Sequence, residues 1–173
     1  LPDSDRLSVR VRPEAWNDIH VVGDVHGCRK TLLNLLDVIA PAGDNLVVLV
    51  GDLVRKGPDS NGVIDVVRNR ENVLSIRGNN EQKLIDGRKQ LPSLSGEDIS
   101  YLESLPVAIG WEDSLVVHGG IDPRKPITEH TQAELMTMRS LVSGGYDRPY
   151  WFETRRESPR VFFGHTVLSE PFE

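Results

Sequence analysis

Six residues of this chain are of types that hold divalent cations, and each follows closely on a short apolar run. The stretches read "VVGDVHG" with Asp24 and His26, "LVGDLV" with Asp52, "IRGNN" with Asn79, "VVHGG" with His118 and "FFGHT" with His165. Two carboxylates, three imidazoles and one amide make an oxygen- and nitrogen-rich donor set. Such a set suits Mn, Fe, Zn or Mg rather than a soft-metal or structural thiolate site. A glycine stands beside each of the six, which lets the backbone turn sharply and a substrate approach closely. One such stretch is weak evidence: Gly-Asp after a strand is common, and a histidine after "VV" is more often a hydrogen-bonded core residue. Five strand ends of this kind in one short chain point to a single centre.

The elements that must bring them together follow from periodicity. "IHVV" (19–22), "LVVLV" (46–50) and "NVLSI" (72–76) read as buried strands. Between them lie "RKTLLNLLDVI", with Leu32, Leu33, Leu35, Leu36 and Ile39 on one wide face, and "PDSNGVIDVVRN", with Ser60 as its expected N-cap. This β-α-β-α-β succession predicts a parallel sheet with helical crossovers, in which the carboxyl ends of the strands share one ligand-binding edge. Residues 81–104 read as two helices broken near Leu91-Pro92-Ser93. "PVAIGW" and "SLVVHGG" read as a hairpin through Glu112-Asp113, "TQAELMTMRSL" as a helix, "YDRPYWFETRRESPR" as irregular and "VFFGHT" as a last strand. No repeat or linker divides the chain, so the expectation is one domain over 1–173.

Composition bounds the function. The chain has 173 residues, 38% hydrophobic and 27% charged, as in a globular domain with a real core. A net charge of -6 argues against broad nucleic-acid binding, although bound cations can reverse the field locally. No apolar run has the length of a membrane helix. One cysteine, Cys28, excludes an internal disulfide and fits a reducing, cytoplasmic compartment. A start at Leu1 without Met and a stop at "SEPFE" are what a trimmed chain would show.

The order GD-x-HG, GD-x-V-x-x-G, RGN-x-E, HGG, GH resembles the phosphoprotein-phosphatase branch of the calcineurin-like metallophosphoesterases, from Val21 to Thr166. "GDLVRKGPDS", "MTMRSL" and "VFFGHT" resemble its symmetrical diadenosine-tetraphosphatase-like members more than the eukaryotic Ser/Thr phosphatases. The resemblance implies two mixed β-sheets packed as a sandwich with helices outside. It implies two divalent metal ions, with Mn expected and Fe, Zn, Co or Mg as alternatives. Asp24 and His26 would hold one, Asn79, His118 and His165 the other, and Asp52 would bridge them. A metal-bound hydroxide would attack phosphorus directly, without a covalent enzyme intermediate. The resemblance further implies Arg139 as a phosphate grip, with Lys56 where many relatives have Arg. Lys supplies a point charge in place of a fork. Relatives continue with further strands, so the second sheet is expected to lack its far edge.

One position departs from the pattern. Most relatives read GNHE, the His acting as general acid with support from an Asp. Here those two positions are Asn80 and Arg55. Three explanations compete. A native Asn80 would serve a substrate whose leaving group needs no proton, such as a nucleotide or polyphosphate with a terminal pKa near about 6. General acid help is worth about 10²–10⁴-fold and matters most for poor leaving groups. Alternatively, Asn80 is an introduced change of His to Asn, or the protein is a phosphate-binding module without turnover. In that order, the readings are a dinucleoside polyphosphate hydrolase, with a Ser/Thr or Tyr phosphoprotein phosphatase as rival, and an inactive binder. Substrates would be phosphorylated small molecules or phosphoproteins, contacted by Arg139, Lys56 and Asn80. The oligomeric state is not legible. Cys28 is expected to pack or cap a helix, His20 and His130 to be structural, and Trp111 and Trp151 to be core residues before base-stacking ones.

Overall fold

The structure, a computed structural model, describes residues 8–142, 146–154 and 159–168. Its strands are β1 (Ser8–Arg10), β2 (Ile19–Val22), β3 (Leu46–Leu49), β4 (Val73–Ser75), β5 (Ala108–Trp111), β6 (Ser114–Val117) and β7 (Arg160–Phe162). Its helices are α1 (Arg29–Ile39), α2 (Ser60–Arg68), α3 (Asn79–Ile85), α4 (Gly96–Ser104), α5 (Gln132–Thr137) and α6 (Trp151–Thr154). Two sheets form, in the orders β2-β3-β4 and β1-β5-β6-β7. The first is parallel throughout; the mixed pairing lies in the second, where β5 and β6 run antiparallel and the other neighbours parallel.

Side-chain alternation explains the layers. On β3, Val47 and Leu49 meet α1, α2 and α4, whereas Leu46 and Val48 meet the second sheet. Both faces are covered, so β3 is a continuous apolar run instead of an alternating one. On β6, Leu115 and Val117 pack against α5 and α6, and Val116 faces the first sheet with Ile109 and Trp111. The result is helix, sheet, sheet, helix.

Several expectations shift in detail. The N-cap of α2 is Asp59, whose Oδ1 accepts from Gly62 N at 2.8 Å, and not Ser60. The Ser60 hydroxyl instead accepts from Arg55 N at 3.0 Å, which draws the preceding loop in. The helix expected over 131–141 stops at Thr137, because Met138 turns extended and Ser140 pairs with Tyr150 as an antiparallel bridge. The stretch expected to be irregular contains α6, with Trp151 and Phe152 buried, while residues 155–158 and the closing "SEPFE" lie outside the described residues. Trp111 stacks on Phe162 at 5.9 Å, and Trp151 donates to Gly119 O at 3.1 Å, so both serve the core. Cys28 stands at the N-cap of α1 but makes no side-chain cap bond. Neither β1 nor the short 3-10 turns at Pro13–Ala15 and Ile127–Glu129 were expected.

Candidate metal centre

Asp24, Asp52, Asn79, His118 and His165 all lie just beyond strand ends, at one edge shared by the two sheets. Two loops are laced together there: His26 N and Val25 N donate to Asp52 O at 2.8 and 3.2 Å, and Gly57 N donates to His26 O at 2.7 Å. The backbone is bent to suit. His26, Asp52, Arg55, Lys56 and His165 all have left-handed φ, at 50°, 49°, 71°, 65° and 62°. Non-glycine residues rarely adopt this region, and each instance costs about 1–3 kcal/mol.

The six expected ligands come together. His26 Nε2 lies 3.6 Å from Asp24 Oδ2 and 3.9 Å from Asp52 Oδ2, and ligand atoms of the three are within 4.8 Å of one another. His118 Nε2 is 3.3 Å from Asp52 Oδ1, and the His118 and His165 rings are 5.0 Å apart. His118 Nδ1 donates to Val50 O at 2.7 Å, which leaves Nε2 for a metal and fixes the tautomer. His26 Nδ1 is oriented more weakly by Val54 O at 3.5 Å. The backbone N of His165 reaches Asp24 Oδ1 at 3.2 Å, tying the last ligand to the first.

Asn79 stands in the middle of this donor set. Its amide oxygen faces His118 Nε2 at 3.1 Å and His165 Nδ1 and both Asp52 oxygens at 3.2 Å. In this orientation the amide nitrogen also faces the Lys83 ammonium, so neither end is satisfied. Turned over, the amide would donate to those atoms and accept from Lys83 Nζ at 2.9 Å. The amide can thus face the centre with either end, and the fit to divalent metal rests on the donor types gathered here, two carboxylates, three imidazoles and one amide. Lys56 supplies a second sign: its ammonium lies 2.8 Å from His26 Nε2, where positive charge is welcome.

Electrostatics follow from burial and these neighbours. Burial pushes the Asp52 carboxyl up, but the hydrogen bond and charge of His118, with the Asn80 N–H and His26, outweigh it and hold it down at about 2. Burial would lower the His118 imidazole, and Asp52 raises it instead. Burial, then the charges of His118 and Arg139, push His165 down to about 4. Glu81 lies wholly buried behind the centre, pushed up to about 7 by burial and then by the Asp52 charge. Its carboxyl accepts from Asp52 N at 2.9 Å, Gly78 N at 2.8 Å and Val54 N at 3.2 Å, so it ties the β3 and β4 ends together. The "RGN-x-E" pattern contained Glu81, but nothing in its spacing told of this buried tie.

The centre opens into a cleft of about 610 Å³ lined by Arg55, Lys56, Lys83 and Arg139, with Asn80, Thr166 and every expected ligand but the buried His118. Arg139 Nη2 donates to His165 O at 2.9 Å, while Arg139 Nε and Thr166 Oγ1 are buried without hydrogen-bond partners. Lys83 and Thr166 carried no sequence signal of their own.

Fold and cleft together define a phosphoesterase architecture, and the sequence model of the calcineurin-like phosphoesterases matches residues 18–170. The chain belongs to that family. It is 38% identical over 85 residues to serine/threonine-protein phosphatase 1 of Salmonella typhimurium, covering 49% of this chain and 39% of that protein. It is 31% identical over 145 residues to the symmetrical bis(5'-nucleosyl)-tetraphosphatase of Edwardsiella ictaluri, covering 73% of this chain and 52% of that one. A crystal structure of a protein assigned as a diadenosine tetraphosphatase superposes with a TM-score of 0.80 at 31% identity, over 91% of this chain and 78% of that chain. The chain thus spans about half the length, or less, of the curated relatives it matches. Among the described residues, no helix is long and apolar enough to cross a membrane.

Proposed function

We propose that this chain hydrolyses phosphoric anhydrides of the dinucleoside polyphosphate kind, as a single domain acting in the cytoplasm. The observation that carries the substrate class is the charge of the cleft: four basic side chains, Arg55, Lys56, Lys83 and Arg139, face two carboxylates, Asp24 and Asp52. Bound cations would add to that positive balance, which suits a polyphosphate chain better than a single phosphoryl group.

In this reading Asp24, His26 and Asp52 hold one metal, and Asp52, Asn79, His118 and His165 the other, with manganese as the expected ion. Divalent metal supplies a nucleophile at neutral pH and draws charge from the phosphoryl oxygens. The chain's own residues orient the substrate: the guanidinium of Arg139 and the ammonium groups of Lys56 and Lys83 line the cleft, where they would grip phosphate oxygens. Asn80 holds no titrating proton, so the leaving group departs without an acid on this residue. Phosphoprotein hydrolysis is the second reading, favoured by the 38% identity to a serine/threonine-protein phosphatase.

The deciding experiment measures product release with Mn²⁺ from diadenosine tetraphosphate, short polyphosphate, p-nitrophenyl phosphate and a phosphoserine peptide, beside Asn80→His. The anhydrides should be cleaved fastest by the wild type. The variant should gain on the peptide, by about 10²-fold. Faster wild-type turnover of the peptide than of the anhydrides would defeat the substrate assignment. Metal-dependent binding with every ligand left intact would make the protein a binder.

A further inference from the structure

Arg55 and Asn80, 25 residues apart in sequence, meet at the wall of the cleft. Arg55 Nη1 donates to Asn80 Oδ1 at 2.5 Å, and Asn80 Nδ2 donates to Asp52 Oδ2 at 2.5 Å. The backbone N of Asn80 also donates, to Asp52 Oδ1 at 2.9 Å. The amide is therefore engaged on both sides, and it links a guanidinium to the carboxylate at the heart of the centre. Arg55 is held firmly: its φ is left-handed, its N–H is bound by Ser60 Oγ, and Gly57 N reaches its carbonyl at 2.9 Å. The other guanidinium donors of Arg55 make no hydrogen bond among the described residues, and the side chain lines the cleft.

This is a matched pair. An Asn alone in that position would leave its oxygen without a donor, and an Arg alone would stand beside the centre unsatisfied. A single introduced change at position 80 does not account for both. A guanidinium does not give up its proton at any working pH, so the pair cannot act as an acid. It presents fixed positive charge and N–H donors where the acid would have stood.

We infer that Arg55, set in place through Asn80, takes up the negative charge of the departing oxygen, and that the site is built for leaving groups that depart as anions. The inference rests on the reading of the cleft as a phosphoester-hydrolysing site. A bond forms between phosphorus and the oxygen of a water that gives up one proton to solvent, and the bond from phosphorus to the bridging oxygen breaks. Its electron pair stays on that oxygen, which leaves as an anion beside the guanidinium and takes its proton from solvent. Fixed donors aimed at developing charge are worth about 10²–10³ in kcat.

The test is a series of aryl phosphates, from dinitrophenyl through nitrophenyl to phenyl phosphate, with metal content measured for each variant. The wild type should slow steeply as the leaving group becomes more basic. Arg55→Ala should retain its metal and lose about 10²-fold in kcat, most on the most basic leaving group. Arg55→Lys should recover part of that loss, because charge remains. The double variant Arg55→Asp with Asn80→His should flatten the dependence. A flat wild-type series, no turnover of any aryl phosphate, or a loss in Arg55→Ala that is equal across the series would overturn the assignment. A readout apart from activity is the melting of metal-free Arg55→Ala, Asn80→Ala and the double variant. Non-additive shifts support the pair, and additive ones dissolve it. Should the wild type follow the steep line yet leave diadenosine tetraphosphate intact, the substrate proposal falls and the role of Arg55 stands.

Discussion

Lys56 points its ammonium at the ring nitrogen of His26 that a metal ion would take. Cation and lysine therefore compete for one lone pair, and metal loading must turn Lys56 out into the cleft, where it can reach phosphate. Lys56→Met should tighten Mn²⁺ binding by about tenfold, the worth of one charge-assisted hydrogen bond. Titration calorimetry of the metal-free protein would read this directly, and weaker binding in the variant would mean that Lys56 supports the centre. At this scale the ligand types were legible because each stands beside a glycine just past an apolar run. The Arg55–Asn80 bond and the bonds from Asp52 N and Val54 N to Glu81 were not, since a hydrogen bond between residues more than 20 positions apart leaves no periodic trace.

Helix α5 shows how a short element depends on its cap. Thr131 and Glu134 cap one another reciprocally, and Lys125 Nζ lies 2.7 Å from Glu134 Oε1. The Lys125 hydrogen bond first, and then the Thr131 N–H, hold the Glu134 carboxyl down at about 2, against an ordinary value of 4.5. A carboxyl lowered on folding contributes stability above its unfolded pKa and loses it as pH falls. The window here runs from about 4.5 down to about 2. Glu134→Gln should reduce the pH dependence of thermal melting across that window, by a small amount because the side chain is partly exposed. An unchanged pH profile would rule the cap out as a source of acid sensitivity. Helix α1 was legible to its end residues from its apolar face, whereas α5 was read too long. The pattern "TQAELMTMRSL" stays helical on paper, but Leu135 O accepts from Gly119 N and the chain beyond Thr137 pairs with 149–151. Tertiary pairing overrode local preference.

Over the whole molecule, the centre exists only where the two sheets meet. Asp24, His26 and Asp52 come from loops of the first sheet, Asn79 from the start of α3 just after β4, and His118 and His165 from the second sheet. Gly164 is a point of close approach: a Cβ there would run into the Asp24 carboxylate, and Gly164 N donates to His118 O at 3.0 Å. Gly164→Ala should leave both sheets folded, displace Asp24 and cost the protein much of its bound metal. Elemental analysis after desalting, with circular dichroism as the folding control, would show it. Full metal content in that variant would mean that Asp24 is not needed as a ligand. The alternation of strands and helices made the first sheet legible; the pairing of β1 with β5 was not, because three residues carry too little pattern.

The left-handed backbone at His26, Asp52, Arg55, Lys56 and His165 has an outcome for anyone who evolves this protein in the laboratory. Replacing such a residue by glycine relieves strain that the folded chain otherwise carries. Selection for heat resistance alone would therefore be drawn to the positions around the metal centre, and its winners would be durable chains with nothing left to catalyse.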